Sequence, residues 1–93
     1  MNEIEKLDYT LKALYAQTKN GSMLKIIQTF KYNRQDLTIE ELRTIKATIE
    51  AYEYAVFQIE PKGVDYRGQI TDKGIVFVES SSFSQPGTSI LVL

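Results

Sequence analysis

The chain has no cysteine and no histidine. The first absence excludes disulfides and thiolate zinc sites as supports for the fold. The second removes the commonest general base and the commonest metal ligand together. Any catalysis would have to come from carboxylates, a Ser-Lys pair or an oxygen-ligated metal. There is also no charge of one sign in excess. Lys and Arg number 11 against 12 Asp and Glu, a formal charge of −1, so no net basic field draws the chain to DNA or to an anionic membrane. No apolar run approaches the roughly 20 residues that cross a bilayer. The start, Met1-Asn2-Glu3-Ile4-Glu5-Lys6, lacks the basic and apolar regions of a secretion signal. These features predict a cytoplasmic protein without a membrane anchor.

What is present suffices for one core. At 93 residues and 43% apolar content, a single domain over 1–93 is expected. Ile4, Leu7, Leu11, Leu14 and Tyr15 recur at three- and four-residue steps and predict a helix over residues 3–18. Asn2 and Glu5 are spaced for a capping box, and Lys19-Asn20-Gly21 supplies the stop. Ser22 is placed to cap a second, shorter helix with Leu24 or Met23, Ile27 and Phe30 on one face and Ile26 beside them. Tyr32 to Asp36 reads as a loop.

Thr38-Ile39-Glu40-Glu41 is a second capping box, with Leu37 and Leu42 placed for a hydrophobic staple. Leu42, Ile45, Ile49, Tyr52, Val56 and Ile59 then continue at helical spacing, with no Gly or Pro before Pro61. Two readings stand for residues 38–60. One is a single long helix. The other is a helix pair turning near Lys46-Ala47-Thr48, with Thr48 as second cap. Beyond Gly63, a short strand reaches Ile70, with Gly68 a candidate bulge. Thr71 to Gly74 reads as a hairpin loop, and the β-branched and aromatic run Ile75-Val76-Phe77-Val78 as the returning strand. Residues 80–93 read as a loop and an apolar tail, Ile90-Leu91-Val92-Leu93, expected to pack on the domain or a partner.

The order helix, helix, helix or helix pair, short strand, then Ile70-Thr71-Asp72-Lys73-Gly74 and Phe77, resembles the winged-helix superfamily, in particular small bacterial regulators whose last strand reads roughly Tyr-x-Ile/Leu-Thr-x-x-Gly. The match covers residues 37–78: Thr38 to Leu42 at a motif helix, Gly63 at the turn into the wing, and Tyr66 with Ile70 to Gly74 at its exit. The fold class expected is α+β, a small winged-helix-like domain with three to four helices packed with a short antiparallel β-hairpin. In that family the segment after the glycine is often a helix with its aromatic inward, whereas propensity here favours a strand. The resemblance implies a transcription-associated or other nucleic-acid-binding role. It puts the reading helix at about residues 48–60, with Thr48, Glu50, Ala51, Glu53 and Tyr54 outward. That face holds two carboxylates and no Arg or Lys, and it departs from what base readout uses. The wing shrinks to Asp65 to Gly68, with Arg67 as its phosphate contact.

The candidate nucleic-acid contacts are therefore Lys25, Lys31, Arg34, Arg43, Lys46 and Arg67, with Tyr32 among them as a stacking aromatic. The rival is a protein-interaction module, perforce non-catalytic, such as a homodimer. It would use Tyr52 and Tyr54, which lie on opposite sides of any helix, and the tail residues Ile90, Leu91 and Leu93. Glu50 and Glu53, one helical turn apart, are the nearest approach to a metal-binding pair, and solvated surface charge accounts for them more simply. No enzyme activity, cofactor, metal or small-molecule substrate is expected.

Overall fold

Each α-helix starts where a side chain accepts from the free amides of its first turn. The computed structural model describes residues 1–61, 63 and 65–84. Its elements are α1 (Glu3–Thr18), β1 (Leu24–Lys25), α2 (Ile26–Tyr32), α3 (Ile39–Ala51), β2 (Ala55–Ile59), β3 (Tyr66–Ile70) and α4 (Asp72–Ser80). The strands form one antiparallel sheet in the order β1-β3-β2. This is a small α+β domain in a winged-helix-like arrangement. Leu11, Leu14, Ile26, Phe30, Leu42, Ile45, Ile49, Ala55 and Ile70 make the core, where the first three helices meet the sheet.

The start of α1 is the expected capping box. Asn2 Oδ1 accepts from Glu5 N at 2.8 Å, and Asn2 N donates to the Glu5 carboxylate at 2.9 Å. Two threonines on its buried side satisfy their hydroxyls inside the helix, Thr10 on Lys6 O and Thr18 on Leu14 O. Thr18 Oγ1 also accepts from Ile70 N at 2.9 Å, so a buried polar atom ties α1 to β3.

Ser22 does not start α2. Leu24 and Lys25 are extended and pair with Gly68 and Arg67 of β3. The helix begins only at Ile26, with no side-chain cap of its own. Asp65 supplies the cap from across the domain, accepting from Ile27 N at 2.8 Å and from Gln28 N at 3.4 Å. It also takes its neighbour Tyr66 N at 2.8 Å.

Neither reading of residues 38–60 survives, because α3 ends at Ala51 and Ala55–Ile59 is a strand. The helix stops in a Schellman arrangement. Tyr54 N donates to Ile49 O and Glu53 N to Glu50 O, with Glu53 left-handed at φ 62°. Glycine usually holds that position, and its absence made the stripe look continuous. Arg34 does the same at the end of α2, at φ 55°, with Gln35 N on Phe30 O. Of the apparent stripe, Leu42, Ile45 and Ile49 are buried while Tyr52, Val56 and Ile59 are at least half exposed.

The hairpin therefore lies one strand earlier than expected: β2 pairs with β3, from Ala55↔Ile70 to Ile59↔Tyr66. Gly68 sits in unbroken register opposite Phe57 and is no bulge. A Cβ there would stand 2.9 Å from both Leu14 Cδ2 and Phe57 Cε1, so glycine lets α1 approach the sheet. Residues 75–78 are helical rather than extended. Thr71 caps α4: its Oγ1 accepts from Gly74 N at 3.0 Å and donates to Glu53 O at 2.6 Å. The cap and the partial burial of Ile75, Phe77 and Val78 outweigh their strand propensity.

Beyond α4, buried Asp8 of α1 accepts from Phe83 N at 2.6 Å and Ser84 N at 3.1 Å. Residues 83 and 84 are thus fastened to α1. Ile90, Leu91 and Leu93 lie outside the described residues. No helix among the described residues is long and apolar enough to cross a membrane.

Candidate nucleic-acid interface

In this arrangement the helix that precedes the hairpin is α3, so the outward face is that of residues 39–51 and not 48–60. Thr38 N donates to Glu41 Oε1 at 3.0 Å and Thr38 Oγ1 accepts from Glu41 N at 3.1 Å, which fixes the start and hence the rotation of α3. With Leu42, Ile45 and Ile49 buried, the exposed positions are Ile39, Glu40, Arg43, Thr44, Ala47 and Ala51. Of the residues first expected on the reading face, Thr48 and Glu50 are half-buried. Ala51 closes the helix, and Glu53 and Tyr54 belong to the turn after it.

Most acidic groups of α3 are engaged. Glu41 is bonded by Lys6 of α1. That contact and the Thr38 amide lower its pKa from 4.5 to about 2, against a smaller cost of desolvation. Glu50 pairs with Lys46, 2.7 Å away and one turn earlier. The same ammonium lies 5.2 Å from the centroid of the Tyr66 ring. Lys46 is thus committed to the domain. Among the described residues Arg43 makes no ion pair, nor do Lys31 and Arg34. Lys31 is in the last turn of α2, and Arg34 is in the turn just after it. Tyr32 is 79% exposed and flanks one hollow with Gln28 and Lys31. On the other side it lines a groove between α1 and α2 together with Tyr9, Gln28 and Lys25.

Lys25 and Arg67 come together as register partners on β1 and β3, which the sequence did not reveal. Both reach Glu60, at the root of the β2–β3 turn: Lys25 Nζ is 3.3 Å from Oε1, and Arg67 Nη2 donates to Oε2 at 3.0 Å. The Arg67 hydrogen bond, and secondarily Lys25, holds the Glu60 carboxyl below its ordinary range despite partial burial. Arg67 is raised in return by the same carboxylate. The candidate wing is a full hairpin of β2 and β3, closed by Glu60 N donating to Asp65 O at 2.9 Å, not the stub Asp65 to Gly68. The six cations therefore divide into a free group, Lys31, Arg34 and Arg43, and an engaged group, Lys25, Lys46 and Arg67.

Tyr52 and Tyr54 do not lie on opposite sides. With the helix ended, their rings stack at 5.3 Å and 9°. Tyr54 stacks in turn on Phe77 at 4.4 Å, and Phe83 meets all three rings. Burial, then the neighbouring Tyr52, raises the Tyr54 phenol pKa. These aromatics fasten α4 and Phe83 to the corner between α3 and β2, and only Tyr52 remains half exposed. Glu53 faces Lys73 at 3.7 Å and Glu50 is held by Lys46, so the two carboxylates are not a pair. No group of three or more Asp or Glu side chains placed to hold a metal occurs among the described residues.

The sequence could have given Lys46–Glu50, a Lys–Glu pair at four-residue spacing. It gave no hint of Glu60 as a partner, because Lys25 and Arg67 meet it only once the hairpin is placed. The fold is thus a small α+β domain in a winged-helix-like arrangement, with Arg43, Lys31 and Arg34 exposed on α3 and at the end of α2. No family model, curated protein or solved structure matches the chain.

Proposed function

We propose that the chain is a small, non-catalytic, cytoplasmic nucleic-acid-binding module of winged-helix type, with a regulatory or transcription-associated role. In this reading α3 enters the major groove and the outer side of α2 lies along the phosphates. The observation that carries it is the state of the charges around α3. Arg43, Lys31 and Arg34 are exposed without acidic partners among the described residues, while Glu41 and Glu50 are neutralised by Lys6 and Lys46. Thr44 and Ala47 beside Arg43 are small enough to let the helix axis come close to base edges, where thymine methyls accept such contacts. Tyr32 beside Lys31 offers a ring to a base or sugar. Glu40 stays exposed on the same face and weakens the field, so only modest affinity is expected.

The test is a titration with random-sequence duplex DNA at low and moderate salt. Binding should weaken steeply as salt rises. Arg43→Ala should lower affinity roughly tenfold and flatten the salt slope by about 1. Absence of binding at low salt removes the reading.

A second reading, a protein-interaction or homodimeric module, is favoured by Tyr52, Val56, Ile59 and Val76, all at least half exposed. Sedimentation at high concentration decides the homodimer: a monomer throughout removes it.

A further inference from the structure

We propose that Glu60 is a built-in competitor for phosphate at the base of the wing, holding the Lys25 ammonium and the Arg67 guanidinium that a phosphodiester would otherwise take. The inference rests on the nucleic-acid reading above and adds how that surface is kept weak. Cross-strand pairing of Lys25 with Arg67 sends both side chains off the same face of the sheet. The turn out of β2 then folds Glu60 back onto them. Its side chain is 14% exposed, against 50% for Lys25 and 44% for Arg67, so the acid lies beneath and the cations face outward. Glu60 Oε1 is buried and makes no hydrogen bond, and the Lys25 charge at 3.3 Å is its nearest compensation.

This arrangement has the form of an anion seat already filled from below. Arg67 uses Nη2 on Glu60 and has further N–H donors in its planar fork. The other acid of the loop, Asp65, is turned away onto the amides of Ile27, Gln28 and Tyr66. Two cations and one carboxylate leave a single net positive charge. An approaching phosphate meets that charge, reduced by the like charge of Glu60. Exposed ion pairs are weak, so the cations are not locked, only discounted.

Glu60→Gln keeps the shape and an acceptor for Arg67 while removing the negative charge. Against duplex DNA at low salt, this variant should bind about tenfold tighter than wild type, with a salt slope steeper by about 1 to 2, as expected when further phosphate contacts form. A second arm uses inorganic phosphate alone, followed by NMR at the Arg67 Nε–H and the Lys25 amide. Both signals should move in Glu60→Gln at concentrations that leave wild type unchanged. Adding Arg67→Gln should abolish both gains. Glu60→Ala should repeat the result if the Gln variant disturbs the hairpin.

Equal affinity and slope on DNA overturn the proposal while leaving the nucleic-acid reading intact. If neither protein binds duplex yet phosphate still finds Glu60→Gln, the seat stands and the nucleic-acid reading falls. No response to either probe overturns both.

Discussion

Two helices of this domain start on a threonine whose hydroxyl accepts from the amide three residues on, and they are otherwise unlike. At α3 that third residue is Glu41, which returns a bond to the Thr38 amide. At α4 it is Gly74, which has no side chain to return. The start of α3 is therefore written in four consecutive residues and would be recognisable in any protein. The start of α4 is completed from outside: Thr71 donates to Glu53 O and to Tyr54 O, and Gly74 lies against that same Tyr54 carbonyl. One start is local and the other tertiary, though the same residue type opens both. The difference teaches that a capping threonine alone does not say whether a helix or a turn follows.

Substitutions separate the two starts by size of effect. Gly74→Ala should be the most damaging, because the new Cβ would stand 2.1 Å from Tyr54 O and 2.7 Å from Ile70 Cγ1. A backbone oxygen cannot rotate away, so a loss of about 3 kcal/mol is expected, as for severe overpacking. In a domain of this size it would appear as a fall of some ~15–20 °C in Tm. A near-wild-type melt would show that α4 is not seated on the Tyr54 carbonyl.

The two threonines give a smaller and more direct contrast. Thr38→Ala removes one cap and should cost about 1 kcal/mol. Thr71→Ala removes a cap and a tertiary hydrogen bond together, and should cost about 2 kcal/mol. Urea melts of the pair measure the gap, and equal losses would erase the distinction between local and tertiary starts.

The smallest effect concerns acid. Glu41 is held well below its ordinary 4.5, at about 2, by Lys6 and the Thr38 amide. A depressed carboxyl contributes stability above the unfolded pKa, and that contribution disappears as pH falls from 4.5 toward 2. Glu41→Gln should therefore be less stable than wild type at neutral pH and should converge on it near pH 2. Because the group is still partly open to solvent, the gap will be slight. Glu60, also depressed, keeps part of the acid limb in the variant. Parallel stability curves down to pH 2 would contradict the assignment.

How much of this was legible follows the same division. Residues 3–18 and the start at Thr38 rest on neighbours in sequence, and both were readable, as was the α+β class. The end of α3 was not, because Glu53 adopts a left-handed conformation without glycine to announce it. Tyr52, Val56 and Ile59 then extended the helical spacing by coincidence, although they belong to a turn and a strand. The strand propensity of Ile75 to Val78 misled for a related reason: packing and a cap override it, and the resemblance to winged-helix chains had pointed the other way. Of the six cations singled out as candidate contacts, Arg43, Lys31 and Arg34 are exposed. The engagement of Lys25 and Arg67 was not legible, because Glu60 reaches Lys25 across thirty-odd positions of chain.

The cap that Asp65 lends to α2 bears on the order of assembly. A seven-residue helix with no start signal of its own cannot be populated alone, since nucleation fixes several residues for a single bond. Its first turn must wait for a carboxylate that follows it by 38 residues. During synthesis α1 and α3 can begin to form as they emerge, while the segment between them stays uncommitted until the hairpin has left the ribosome. On this account the outer side of α2, proposed to lie along the phosphates, is expected to form after α3, once that long loop has closed.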